Sequence, residues 1–231
     1  MIKKISKIIC GVVLVPFCAG FTWQLAAMAA DATYKPDTPY YFVWGGLGYL
    51  IIHLLFKKPI LAYVVGHEMT HALFAMLFGG KVTSLHASNR GGRVTITRSN
   101  FLITLAPYFF PLYTFLALLL YGVAHAAHAQ GIALDILVFV SGATFAFHVM
   151  LTLVFLGTDQ TDIREHGQIF SYPLIYLFNI VFAAFLLHVY FAENSDFLSY
   201  CINGIMKSSD MLLRALHYLY IFSQKGLQLL I

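Results

Sequence analysis

Pro59-Ile60-Leu61-Ala62-Tyr63-Val64-Val65-Gly66-His67-Glu68-Met69-Thr70-His71-Ala72-Leu73-Phe74-Ala75-Met76-Leu77-Phe78 is apolar along its whole length except at its centre. There it reads Gly66-His67-Glu68-Met69-Thr70-His71, two histidines four residues apart with a glutamate directly after the first. On a helix of about 3.6 residues per turn, positions i and i+4 share a face, so both imidazoles reach one zinc ion with Glu68 beside them. Lys57-Lys58 stand before the stretch and Gly79-Gly80 after it, boundaries that suit a helix opened by proline and closed by glycine. At about 1.5 Å rise per residue the motif begins roughly 13 Å beyond Lys58, a depth at which ionisable side chains are costly and by default mark function.

The surrounding composition makes this a membrane segment. The chain has 231 residues, of which 60% are hydrophobic and 10% charged, and its mean hydropathy is +0.78. A soluble domain carries about 25% charged residues, so this is an integral membrane protein. With no long polar block, the expected organisation is residues 1–30 as a leading segment, 40–192 as a membrane-embedded domain, and 193–231 as a tail. The net charge of +4 is spread over short flanking groups such as Lys3, Lys4 and Lys7, which suits lipid headgroups. Nucleic acid would require a concentrated basic face and is not an expected partner. Cys10, Cys18 and Cys201 are scattered, with no C-x-x-C pair to suggest a metal or redox site.

Along the chain, residues 1–30 open with three lysines, run apolar from Ile8 to Phe21 and end in Ala26-Ala27-Met28-Ala29-Ala30. They read as a secretory signal peptide or as a first transmembrane helix, and the length of the apolar run favours the helix. Tyr40 to Phe56 is a short apolar segment, and its His53 reads as a packed core residue. After the motif segment, Lys81 to His86 and Arg93 to Arg98 are β-branched, partly alternating runs around Arg90-Gly91-Gly92, the pattern of a β-hairpin. Phe101 to Ala124 is a further span, which Pro107 and Pro111 should kink or interrupt. His125 and His128 follow in an interfacial loop. Ile132 to Leu156 and Ile169 to Ala192 are the last spans, and His148 in the first of them reads as structural. The tail places Asn203, Lys207, Asp210, Arg214, His217, Gln224 and Gln228 at helical spacings, an amphipathic helix lying on the membrane or the bundle. The expected fold is thus an all-α polytopic membrane protein with about six transmembrane helices, or five if the first is cleaved, plus the hairpin and the C-terminal amphipathic helix.

Catalytic zinc takes three protein ligands and leaves a position for water, whose pKa it lowers toward about 7. His67 and His71 supply two ligands. Glu68 is placed to take the proton of that water as general base and return it to a leaving amine, which is peptide-bond hydrolysis. No third ligand follows at the usual spacing on the same helix. The densely polar loop Gly157-Thr158-Asp159-Gln160-Thr161-Asp162-Ile163-Arg164-Glu165-His166-Gly167-Gln168 offers one: Asp162 is favoured, Asp159 is its nearest rival, and His166 or Glu165 come after.

On these residues the chain resembles the site-2 protease class of intramembrane zinc metalloproteases, the M50 peptidases, and most closely their bacterial B-like branch. The resemblance is carried by Gly66 to Ala72, by Gly79-Gly80-Lys81-Val82 and the hairpin-like stretch after it, by Gln160-Thr161-Asp162-Ile163, and by Gly167, Phe170-Ser171 and Asn179. It covers roughly residues 40–192. It implies a helical membrane fold, zinc on two histidines and a distant aspartate, cleavage of membrane-embedded or membrane-proximal segments of protein substrates, and a bacterial inner-membrane location. One departure is that this chain has no Asp-Gly pair, which that class generally carries at its third ligand. A metalloprotease-like scaffold serving as a binding or regulatory partner is therefore the alternative. A diiron membrane oxidase, prompted by the ten histidines, would need more histidine boxes than His67/His71 and His125/His128.

Overall fold

A computed structural model describes residues 2–30, 40–191 and 197–228. Residues 31–39, and the boundary expected at 192/193 between the last span and the tail, lie outside the described residues. The order of elements is α1 (Ile2–Ala30), α2 (Tyr41–Leu55), α3 (Ile60–Leu77), β1 (Val82–Ser88), β2 (Gly91–Ile96), α4 (Phe101–Phe109), α5 (Leu112–Ala126), α6 (Ile132–Leu156), α7 (Thr161–His166), α8 (Gln168–Phe191) and α9 (Phe197–Gln228). The protein is a helical, polytopic membrane protein with one antiparallel hairpin. Among the described residues, four helices, within α1, α3, α6 and α8, are long and apolar enough to cross a membrane, and α4 with α5 makes a fifth candidate span. At 15 residues, α2 is about 22 Å long, short of the ~30 Å hydrocarbon layer.

The chain divides into two compact units, α1 with α8 and α9, and α2 to α7 with the hairpin. In the first, the Cys18 thiol donates to the Pro173 carbonyl at 3.3 Å, and Phe21 meets Tyr200 edge-on at 5.7 Å. On α9, Arg214 pairs with Asp210 one turn earlier at 3.0 Å.

The second unit holds the motif. Here α2 and α6 approach backbone to backbone, Gly45 against the Phe139 carbonyl and Gly142 against that of Phe42. Small residues give such close contact where apolar burial cannot drive association in lipid. Helix α3 begins directly after Pro59 and stops at Phe78. Gly79 takes φ +72°, its N–H reaches the Met76 carbonyl at 2.9 Å, and the Gly80 N–H reaches that of Ala75 at 2.7 Å. This pair of bonds is a Schellman closure, which requires a residue tolerant of the left-handed region. The Arg98 guanidinium also donates to the Phe78 carbonyl at 3.0 Å, tying the helix end to the far side of the hairpin.

The hairpin pairs Ser88 with Gly91, His86 with Arg93 and Leu85 with Val94, with an irregularity between Val82 and Ser84. Asn89 and Arg90 form its turn, where the Ser88 hydroxyl donates to the Gly91 carbonyl at 2.8 Å. The proline-containing span is broken as the sequence suggests: α4 and α5 meet at 74°. Asn100 caps α4 by accepting the Ile103 N–H at 2.9 Å. Every residue from Ile103 to Phe109 is buried, so α4 beyond its first two residues is enclosed on all sides. A half-length helix at membrane depth is tolerated when it is surrounded by protein in this way.

Candidate metal centre

His67 and His71 lie one turn apart on α3, with their rings 4.9 Å apart at 80°. Asp162, in the first turn of α7, brings its Oδ2 to 3.3 Å from His67 Nε2 and 3.5 Å from His71 Nε2. One ligand atom from each of the three lies within 4.8 Å of the other two, the one such group of metal-ligating side chains among the described residues. Burial alone would raise the Asp162 carboxyl. The hydrogen bonds and charges of His67 and His71 outweigh that, holding it well below the usual carboxylate range.

The donor set fits a metal ion. Nδ1 of His71 stands 2.9 Å from the Ile103 carbonyl on α4, a contact that favours the proton on Nδ1 and leaves the Nε2 lone pair directed at the site. Two imidazoles and a carboxylate, two of them turned by the helix and the third arriving from a separate element, are the donors of an open zinc site.

Glu68 follows the first ligand and is buried, at 7% exposure. The main chain of β2 lies over it, with a hydrogen bond at Val94. Gly92 is pressed so closely on it that an added Cβ would sit 2.5 Å from Glu68 Cγ and 2.6 Å from Oε1. The hairpin therefore forms a wall of the site. Around the three ligands and Glu68 is an open cleft of about 630 Å³, whose lining includes Tyr63, Val94, Thr104, Phe155, Gln160 and Glu165.

The other polar residues of the loop stand apart from the histidines. Asp159 pairs with Arg164 at 3.2 Å with its side chain 70% exposed. Glu165 reaches the cleft but is paired with His166 at 3.8 Å, and its side chain is 59% exposed. His125 is exposed in the last turn of α5 rather than in the loop expected for it, because the helix continues to Ala126, and His128 is exposed just beyond that helix; His53 is buried with Nδ1 3.3 Å from the Tyr49 hydroxyl, and His148 is buried in α6.

Two features of the site have no signature in the sequence. Tyr108, on α4, donates its hydroxyl to Asp162 Oδ2 at 3.0 Å, and Gly92 lies on Glu68. Tyr108 is one aromatic among many in an apolar run, and only its neighbour Pro107 hints that the helix there is irregular. A glycine pair in a predicted turn says nothing of what approaches it.

A family model described as peptidase M50B-like matches residues 46–211. That span contains both histidines, Glu68, the hairpin and Asp162. No curated protein and no solved structure matches the chain.

Proposed function

Since the chain belongs to the peptidase M50B-like family, a family of membrane metalloproteases, we propose that it is an intramembrane zinc endopeptidase hydrolysing peptide bonds within or next to membrane segments of protein substrates. The observation that carries this reading is the convergence of His67, His71 and Asp162 within 4.8 Å of one another, beside a buried glutamate. His67 and His71 through Nε2, and Asp162 through its carboxylate, would hold the ion. Zinc in such a site polarises a carbonyl and makes a water nucleophilic near neutral pH.

The rest of the work belongs to the chain itself. Glu68 accepts a proton from the attacking water as its oxygen bonds to the scissile carbonyl carbon. It then delivers that proton to the amide nitrogen as the C–N bond breaks, leaving a carboxylate and an amine. The main chain of β2 fixes the direction of Glu68, and the Ile103 carbonyl fixes the tautomer of His71. The cleft beside the hairpin would receive the substrate segment. Its partners would be membrane-protein substrates and the bilayer, and the resemblance to the bacterial branch favours the inner membrane.

The test is Glu68→Gln in purified, reconstituted protein, scored for bound zinc and for cleavage of candidate transmembrane substrates. The expected outcome is about one zinc per chain in both proteins and cleavage only by the wild type. Surviving cleavage in the variant would remove Glu68 as the base. Zinc without cleavage by either protein, across substrates, would favour the alternative of a binding or regulatory partner.

A further inference from the structure

We propose that Tyr108 is a positioning residue for the metal centre: its hydroxyl holds the Asp162 carboxylate in register with the two histidines. The inference rests on the metal-centre reading above and extends it to a residue outside the motif, on a different helix.

Tyr108 is completely buried, one of the largest side chains in the protein with no exposure. A buried phenol needs a partner for its single proton. Two acceptors are in range, Asp162 Oδ2 at 3.0 Å and Gln160 Oε1 at 3.3 Å. The ionised carboxylate is the stronger of the two. Oδ2 is also the oxygen that faces His67 Nε2 at 3.3 Å and His71 Nε2 at 3.5 Å. The hydroxyl thus grips the atom that would coordinate the ion.

That grip matters because the support for Asp162 is otherwise thin. It stands on α7, a helix of six residues, after a loop whose Thr158 and Asp159 are exposed. The terminal torsion of an aspartate is broad, so nothing intrinsic to the side chain chooses which oxygen points inward. Gln160 extends the tether by donating its amide to the Thr158 hydroxyl at 2.6 Å. The phenol ring meets the His67 imidazole edge-on, 5.1 Å between centroids at 86°. One rigid side chain on the buried helix α4 therefore touches two of the three ligands, one at its ring and one at its hydroxyl. Partners of metal ligands orient them, and their loss commonly costs about 10–100-fold in metal affinity.

The experiment compares wild type, Tyr108→Phe, Asp162→Ala and the double variant in the full-length purified protein. Zinc affinity is measured by chelator competition, and the visible absorption of the cobalt-loaded forms is recorded. Phenylalanine keeps the ring packing on His67 and removes only the hydroxyl. Tyr108→Phe should weaken zinc binding about 10–100-fold and alter the cobalt spectrum. In the Asp162→Ala background it should change neither. Loss of affinity of the same size in both backgrounds would mean general damage and would overturn the proposal, as would wild-type affinity and spectrum in Tyr108→Phe. Failure of the metal-centre reading looks different: the wild type would not take up zinc, or Asp162→Ala would bind it as well as the wild type.

Discussion

Adding one methyl group at Gly92 tests whether the hairpin is part of the catalytic apparatus. A Cβ there would lie 2.5 Å from Glu68 Cγ, 2.6 Å from Glu68 Oε1 and 2.7 Å from Val64 Cγ1, whereas non-bonded carbons are at ease at about 3.5–4.0 Å. Some group must move by about 1 Å. Val64 is buried in the helix face, so Glu68 and the exposed hairpin strand are what can yield. Overpacking of this kind costs about 1–3 kcal/mol, with the lower end expected because Glu68 is a flexible chain. The effect on catalysis should be larger than the effect on folding, since displacing a reacting group by about 1 Å can cost about 10²-fold in rate. The assay is kcat/KM of Gly92→Ala on a reconstituted transmembrane substrate, with zinc content and thermal unfolding measured on the same preparation. Expected are full zinc occupancy, a melting point a few degrees below wild type, and a rate reduced about 100-fold. A rate within threefold of wild type at full zinc occupancy would refute the reasoning, because it would mean that β2 does not orient the base.

Asp162→Ala should lose most of its zinc on dialysis, keeping the weaker binding by His67 and His71 that chelator competition still reads, while Asp159→Ala, which breaks an exposed pair with Arg164, should retain it; the opposite result would exchange their roles. A pH dependence also follows from Asp162, whose carboxyl is held below its usual range by the histidines despite its burial. A depressed native value means its contribution to stability is complete above the unfolded carboxylate range and disappears as pH falls through the native value. The melting-point gap between metal-free wild type and Asp162→Asn should therefore not shrink from pH 7 to about 5, and should close only in stronger acid. A gap that shrinks between pH 7 and 5 would contradict that direction.

The apolar segments were legible because hydropathy adds up along a chain regardless of what each helix packs against, so the spans around residues 8–21, 59–78, 132–156 and 169–192 stand out. The hairpin was legible from β-branched runs around Gly91-Gly92, and the bend between α4 and α5 from its prolines. Asp162 was the favourite among four residues because a polar loop between spans can offer a remote ligand, and it is the one of the four whose carboxylate the fold brings within reach of both histidines. The hidden part is what depends on approach between distant segments. The burial of α4 on all sides is one example, since Ile103, Leu105 and Ala106 would read the same facing lipid or protein. The Tyr108–Asp162 bond joins positions 54 apart, and no periodicity encodes it.

The distribution of polar contacts around α3 explains why so much of this unit is needed for three side chains. A histidine pair and a glutamate inside an apolar segment would be expensive alone. Each is met by a polar group from a different element: the Ile103 carbonyl of α4 at His71, the main chain of β2 at Glu68, and Asp162 of α7 at both histidines. These groups are brought in by segments that are individually weak: a nine-residue helix, a two-stranded hairpin and a six-residue helix. None is a long membrane span. The long helices supply the frame, and the short irregular elements supply the polar partners, which fits the rule that irregular backbone at membrane depth occurs where it is enclosed by protein or lines a cavity. Loss of any one partner leaves a buried ionisable group with less compensation, and coupling is expected between side chains that touch. Double-variant cycles among Tyr108, Asp162 and Gly92 should accordingly give non-additive effects on zinc affinity for Tyr108 with Asp162, whose side chains touch. For Gly92 with either of them the effects on zinc affinity should be near additive, since Gly92 lies against Glu68 and Val64 and not against His67, His71 or Asp162.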